Sequence, residues 1–490
     1  MPLVCGVDSS TQSTKVEIRD ADDGRLVASG KAPHPTTTPP RSEQDPQAWR
    51  QALQAGLALC GRHEIAAIAV AGQQHGLVVL DEEGRVLRPA KLWNDTESAE
   101  DAAHLVERIG ADAWATRCGS VPVAAFTISK LAWLKRCEPD VFARVHHVLL
   151  PHDWLTYRLT GEFTTDRGDA SGTGYWSATD ADWCLDLLSL VDDSRDWDRL
   201  LPSVREPDQP AGTLTRAAAE QLGLSAGVLV APGTGDNMAA ALGLGVEPTE
   251  LVISIGTSGT AYTISDRSTA DASGAVAGFA DATGRFLPLV CTLNGTKVTD
   301  AFARLLGVAP EAFDALALND TNAAEGLVLL PYLDGERTPN RPEARGILAG
   351  FGSDVTRESI ARAVVEGVAC GLLDAVDALV SEGVAIGKGP VRLIGGGARS
   401  RAFRRCLPDL LGTSVATVPD VEHVARGACV QAAAILRGVN PGVVAAEWRP
   451  AELTLVEPDL SVDAKGIRTK YGAIRDASGR AYRAPTSTAS

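Results

Sequence analysis

Two stretches of this sequence share one design. The first, VCGVDSSTQSTKVEIRD, opens the chain as an apolar strand ending at Asp8, a run of hydroxyl and amide residues, and a second strand. The second, LVISIGTSGTAYTIS at 251–265, is again an apolar strand, a Gly and hydroxyl loop, and a strand, about 245 residues later. A unit that returns at such a distance predicts an α/β chain built by duplication, with a domain boundary near Val246 to Glu250. The length of 490 residues leaves ample room for two domains.

The stretches between the loops fit that plan. The DDG at Asp22 to Gly24 predicts a tight turn into a third strand. PQAWRQALQAGLALCGR, 46–62, has helical spacing, and IAAIAVAG, 65–72, reads as a buried strand. LVVLDEEGRVLRPAKLW predicts another hairpin, ending at Trp93. A helical, Trp-rich segment follows, and then VLVAPGTGDNMAAALGLG, 228–245, gives a strand, a Gly-rich loop and a helix. In the second half VRLIGGGARS, 391–400, repeats strand and Gly-rich loop, with a helix from near Arg401. The expected domains are 1–246 and 247–484, with 485–490 as a disordered tail.

Bulk properties exclude several classes. A net charge of −16 argues against nucleic acid or an anionic membrane as partner, since both need clustered basic surface. It leaves phosphate ligands open, which need only local donors. The nine cysteines include no CxxC pair, and an odd count fits reduced thiols better than a disulfide framework. MPLVCGVD enters a strand at once, with no basic n-region and no long apolar run, so a cytoplasmic protein is expected.

The loops supply the chemistry. Thr11, Gln12 and Ser13 offer hydroxyl, amide and backbone N–H donors that suit phosphate oxygens, and Asp8 at the strand end could hold Mg²⁺. The alternative is a polar hairpin with an Asx-turn at Asp8. Gly256, Thr257 and Ser258 repeat the arrangement, which favours two clamps on one polyphosphate. Gly395, Gly396, Gly397 and Ala398 would let a flat ring such as adenine approach the backbone. The alternative there is a plain strand-to-helix turn; neither GxGxxG nor a Walker sequence occurs. Asp236, in PGTGDN at a helix start, reads as a general base for a substrate hydroxyl, or as an N-cap. AGQQHG places Gln74 and His75 after a strand, and LWND adds Trp93, Asn94 and Asp95. Amides and carboxylates for hydroxyls, with an aromatic face for C–H groups, make a sugar-binding palette. The adjacent His146 and His147 and the remaining histidines show no metal-ligand spacing.

Taken together, these residues carry a resemblance. GVDSSTQSTKV, SEQDPQAW, AGQQHGLVVLD, RPAKLWND, EPDVF, LLPHDWLTYRLTGEF, DASGTGYW, GTGDN, SIGTSG, PYLDGERTPNRPEARG and RLIGGGARS span residue 4 to about 430. The chain resembles the FGGY carbohydrate kinases, and among them those acting on D-xylulose. That resemblance implies two duplicated actin-like ATPase (ribonuclease H-like) domains with a cleft between them. It implies ATP-dependent phosphorylation of the terminal hydroxyl of a ketopentose with Mg²⁺, giving D-xylulose 5-phosphate. It implies Asp236 as general base, and Gln74, His75, Asp236 and Asn237 against the sugar. Gln74 stands where many such kinases carry Met, and Gln can donate and accept where Met cannot. Family members are often dimers. Kinases of ribulose, fuculose, gluconate or glycerol are the nearest rivals; an ATP-driven switch protein is another, in which QQHG and LWND have no task.

Overall fold

The computed structural model describes residues 2–319, 326–418 and 422–481, so the expected tail at 485–490 lies outside the described residues. The chain divides into two compact units. The first holds Met1–Glu247, Ile264–Leu287 and Asp420–Ala451; the second holds Pro248–Thr263, Pro288–Pro419 and Glu452–Ser490. A continuous division into 1–246 and 247–484 differs from this, because 264–287 and 420–451 return to the first unit. The returning helix His423–Arg437 is buried along most of its length, and its apolar surface needs the partners that unit supplies.

In the first unit, strands β1 (Leu3–Ser9), β2 (Ser13–Asp20) and β3 (Leu26–Pro33) form an antiparallel meander. β1 alternates with nothing: all but its first residue are buried, as in a strand covered on both faces. Helix α1 (Pro46–Cys60) then crosses over. Asp45 caps it by accepting from Gln47 N–H at 2.9 Å, Pro46 fits the first turn, and Trp49, Leu53 and Leu57 face the core. β4 (Ile65–Gly72) returns parallel to β1. β5 (Gly212–Thr213), β6 (Leu229–Val230) and β7 (Thr234–Gly235) complete the sheet, in the order β5-β6-β4-β1-β2-β3 with β7 also on β4.

The second unit repeats the scheme. β8 (Val252–Ile255), β9 (Gly259–Tyr262), β10 (Phe286–Thr292), β11 (Val391–Ile394), β12 (Val415–Thr417) and β13 (Thr454–Val456) run in the order β13-β12-β11-β8-β9-β10. The senses match as well: β8 is antiparallel to β9, β9 to β10, and β8 is parallel to β11. The long helix Arg357–Ser381 and the helix Ala464–Ala481 belong to this unit, the latter anchored by Arg475 on Asp374 at 2.7 Å.

The hairpin expected over 77–93 is reduced to isolated bridges, Leu77 with Lys91 and Leu80 with Val86. Val78–Leu80 pairs in addition with His147–Leu149, and Ala90–Lys91 with Glu43–Gln44. Local alternation marks a strand but not its partner. Among the described residues no single helix is long and apolar enough to cross a membrane.

Helix α2 (Pro151–Thr160) and helix α3 (Asp236–Leu244) position the site. Seven of the nine α3 residues are buried, and two glycines set its seat. A Cβ on Gly243 would lie 2.0 Å from His423 O, and one on Gly427 would lie 1.8 Å from Ala239 O. Only glycine lets these two helix backbones approach so closely.

Candidate active site

β1, β4 and β7 are parallel neighbours, so their C-terminal ends lie side by side. That edge is where open α/β sheets bind ligands, because the strand ends release loops there. It brings together the loop after Asp8, the Gln73–His75 loop and the start of α3. Trp93 Nε1 donates to Thr11 Oγ1 at 2.9 Å, Thr11 Oγ1 donates to Gln73 Oε1 at 3.4 Å, and Gln73 N–H donates to Ser9 O at 3.1 Å. Five of the expected residues, Asp8, Thr11, Gln74, Trp93 and Asp236, therefore belong to one neighbourhood of the first unit.

The opening loop is held tightly. Ser10 N–H donates to Ser13 O at 3.1 Å, His34 N–H to Gln12 O at 2.8 Å, and Gln44 Nε2 to Thr11 O at 3.0 Å. The Gln12 side chain is exposed and Ser13 is buried as the first residue of β2. The Asp8 carboxylate is buried and accepts from Ser10 Oγ and from Lys15 Nζ, the latter at 3.3 Å. Burial raises its pKa while Lys15 and Ser10 pull it down, and burial prevails. Lys15 was not among the expected site residues, although the hairpin register places it opposite Asp8. Carboxylate and hydroxyl oxygens are hard donors, which suit Mg²⁺.

Asp236 is the first residue of α3, and Gly235 takes the N-cap position, so the N-cap alternative does not hold. The carboxylate is half-buried rather than at an exposed turn. Its pKa is pushed up to about 7 by burial first, then by the nearby charges of Asp8 and Asp169. A carboxylate poised near neutrality beside a loop of donors can take a proton from an alcohol. Asn237 Nδ2 donates to Asp236 Oδ1 at 2.9 Å and to Gln74 Oε1 at 2.7 Å. Gln74 Nε2 is buried without a hydrogen-bond partner among the described residues, leaving a donor for a ligand.

His75 is held at φ 64°, with its ring 5.0 Å from Phe126 and 5.4 Å from Phe279. Non-glycine residues rarely adopt that backbone region, and such strain collects at ligand sites. Trp93 is 37% exposed, enough to offer a flat face, and Asn94 Oδ1 is buried without a hydrogen-bond partner. Asp95 is instead structural: it accepts from Ser42 N–H at 2.8 Å and Lys91 Nζ at 3.0 Å. Glu43, Asp95 and Glu97 converge closely enough for a cation, and the Lys91 ammonium fills that role at 2.6–3.3 Å.

In the second unit, β8 and β11 are parallel neighbours, and their ends carry the other two loops. Gly256 N–H donates to Ser258 O at 2.8 Å, a tight turn that leaves Thr257 exposed. Gly395, at φ 82°, and Gly397 both press on Ile255 of β8, where a Cβ on either would lie 2.5 Å away. Gly396 has open space on its Cβ side, as a flat ligand requires, and Ala398 follows in a short 3₁₀ turn. Thr260 Oγ1, just past the first loop, is buried without a hydrogen-bond partner.

A cluster absent from the sequence expectations lies behind the first site. His152, Asp153, Asp166 and Asp169 are all buried, with His152 Nε2 within 3.5 Å of a carboxylate oxygen of each. Their spacing matches no ligand or triad pattern; His152, Asp153 and Asp169 fall within LLPHDWLTYRLTGEF and DASGTGYW, but those stretches give them no role.

Comparison with known proteins shows the family. Residues 3–243 match the N-terminal domain of the FGGY family of carbohydrate kinases, and residues 251–436 match its C-terminal domain. The chain is similar to a xylulose kinase of Streptomyces rubiginosus, 46% identical over 479 residues, covering 97% of this chain and 96% of the relative. It is 48% identical over 453 residues to a xylulose kinase of Streptomyces coelicolor, covering 92% and 91%. Among solved structures, xylulose kinase from Bifidobacterium adolescentis superposes with a TM-score of 0.84 at 39% identity, covering 97% of this chain and 99% of that one.

Proposed function

The chain belongs to the FGGY family of carbohydrate kinases, and on that premise we propose that it transfers the γ-phosphoryl group of ATP to the terminal hydroxyl of D-xylulose. The product is D-xylulose 5-phosphate. The two α/β units are of the duplicated actin-like ATPase fold that such kinases share. The observation that carries the proposal is the Asp236 carboxylate, poised near neutrality and tied through Asn237 to Gln74. The choice of D-xylulose is supported by the naming of relatives that align over nearly the whole chain.

Phosphoryl transfer asks little covalent work of a protein; alignment and charge neutralisation dominate. Asp236 orients the attacking hydroxyl and accepts its proton as the O–P bond forms. Gln74 and Asn237 meet sugar hydroxyls, His75 holds the edge of the site between its two phenylalanines, and Trp93 covers C–H groups. Asn94 adds an acceptor. Thr11, Gln12 and Ser13 contribute donors to phosphate oxygens. Mg²⁺, held through Asp8, would supply charge neutralisation at the phosphates. In the second unit, Gly256, Thr257 and Ser258 serve phosphate, and Gly396, Gly397 and Ala398 serve the adenosine.

The test is ADP release by the purified chain with Mg-ATP, with and without D-xylulose, beside D-ribulose and glycerol. Release that depends strongly on D-xylulose is expected. Release indifferent to D-xylulose overturns the proposal.

A further inference from the structure

One imidazole sits among three buried carboxylates. His152 Nε2 lies 3.3 Å from Asp153 Oδ1, 3.5 Å from Asp166 Oδ1 and 3.2 Å from Asp169 Oδ2, and none of the four side chains is more than 5% exposed. Removing such groups from water costs several kcal/mol each unless they are paired and hydrogen-bonded. Two of the three carboxylates bond outward. Asp166 Oδ2 accepts from Thr234 Oγ1 at 2.7 Å and from Gly168 N–H at 2.8 Å. Neither Asp169 carboxylate oxygen has a hydrogen-bond partner among the described residues, so the imidazole 3.2 Å away is what faces its charge. Asp153 Oδ2 accepts from Leu150 N–H at 2.8 Å and so fixes the start of α2.

The imidazole is also wedged by backbone. A Cβ on Gly72 would lie 3.1 Å from His152 Cβ, and one on Gly233 would lie 2.7 Å from His152 Nδ1. Gly72 ends β4 just before Gln73–His75; Gly233 and Thr234 lead into Asp236. The two loops that carry the sugar-facing side chains thus both pack against His152, one at Gly72 against its Cβ and the other at Gly233 against its ring, and the second is also tied to Asp166 through Thr234.

We propose that His152 is a positioning residue of the sugar site: packed between Gly72 and Gly233 and paired with the Asp166 that holds Thr234, it sets the register of the loop bearing Gln74 and His75 against the loop bearing Asp236 and Asn237. Burial by itself pushes the imidazole pKa down, but Asp153, Asp169 and Asp166 outweigh it and hold it at about 9, so the ring stays cationic through neutral pH. The inference takes its substrate from the sugar-kinase reading above.

The test uses the full chain carrying His152→Gln or Thr234→Val, with kcat and both KM values read from ADP release. His152→Gln is expected to raise the D-xylulose KM about tenfold or more and leave the ATP KM within about twofold. Thr234→Val, which removes only the hydroxyl on Asp166, is expected to act in the same direction by about threefold. The double variant is expected to be no worse than His152→Gln, because both act through Asp166. An unchanged sugar KM in either folded variant overturns the proposal, as does a parallel rise of both KM values, the mark of general loosening. If His152→Gln does not fold, Thr234→Val alone decides. The unaltered chain separates this from the substrate assignment: if D-xylulose fails to drive it, that assignment falls, and the same comparison is made on the panel sugar that does.

Discussion

Asn237 donates its side-chain amide to Gln74 Oε1 at 2.7 Å, joining residues from two strand ends of one sheet. The same nitrogen donates to Asp236 Oδ1 at 2.9 Å. The orientation of the Asp236 carboxylate therefore depends on a glutamine far away in sequence. Gln74 acts on Asp236 through Asn237 as well as offering its own Nε2.

Gln74→Met removes the acceptor and keeps the volume. Asn237 then loses one partner, and kcat/KM for D-xylulose is expected to fall about tenfold, the worth of one charge-assisted or buried hydrogen bond. Steady-state kinetics with varied sugar at saturating ATP measures it. An unaltered kcat/KM would detach Gln74 from the site.

Asp236→Asn keeps the shape and removes the base. Turnover is expected to fall by about 10² to 10⁴, while ATP affinity, read by calorimetry, stays near that of the unaltered chain. Loss of nucleotide binding to the same degree would reassign Asp236 to a structural or metal-holding role.

The pH dependence of kcat/KM is expected to carry an acid limb near pH 7, where the Asp236 carboxylate loses its proton. Burial is the first cause of that raised value, and the charges of Asp8 and Asp169 add to it. Asp169→Asn removes one of those charges, so the limb should move to lower pH. A limb that stays in place or rises would contradict the assignment.

Stability should fall as pH rises through neutrality. His152 is raised from 6.5 to about 9 and Asp153 from 3.8 to about 7. In both cases the folded state holds protons that the unfolded state has released, so unfolding gains as pH rises. The His152 contribution is complete below pH 6.5 and lost as pH passes through about 9. Thermal unfolding between pH 6 and 9 should show a declining midpoint, and His152→Gln should flatten its upper part. A midpoint that climbs over this range would refute the buried cation.

Gly427→Ala would put a Cβ 1.8 Å from Ala239 O, against backbone that cannot swing aside. A loss of at least about 1–3 kcal/mol is expected from such overpacking, read from the midpoint of denaturant unfolding. Because Ala239 lies in α3, activity should drop with it.

Much of the candidate site's grouping was legible because it is local chemistry. Asp8, Thr11, Gln74 and Asp236 sit at strand ends, and a strand end followed by donors or a carboxylate is visible in a few residues. The helix over 46–60 was legible because one face of it must be apolar, and the duplicated meander because its two loops share a composition. The partners were less so. Lys15 opposes Asp8 through strand register, and the strands of the hairpin over 77–93, joined to each other by bridges, also take partners at Glu43–Gln44 and His147–Leu149.

The sequence by itself determined which segments are buried, where the loops open, and which side chains those loops carry. Periodicity and residue type act within one element, and they are written along the chain. Only the tertiary structure decided that His152 stands among Asp153, Asp166 and Asp169, that the helix 423–437 returns to the first unit, and that Asn237 reaches Gln74. These are contacts that depend on packing between separate elements, most of them far apart in sequence. They follow from desolvation: a buried charge or amide must find its partner wherever the packed chain brings one, and no spacing rule along the sequence encodes that meeting.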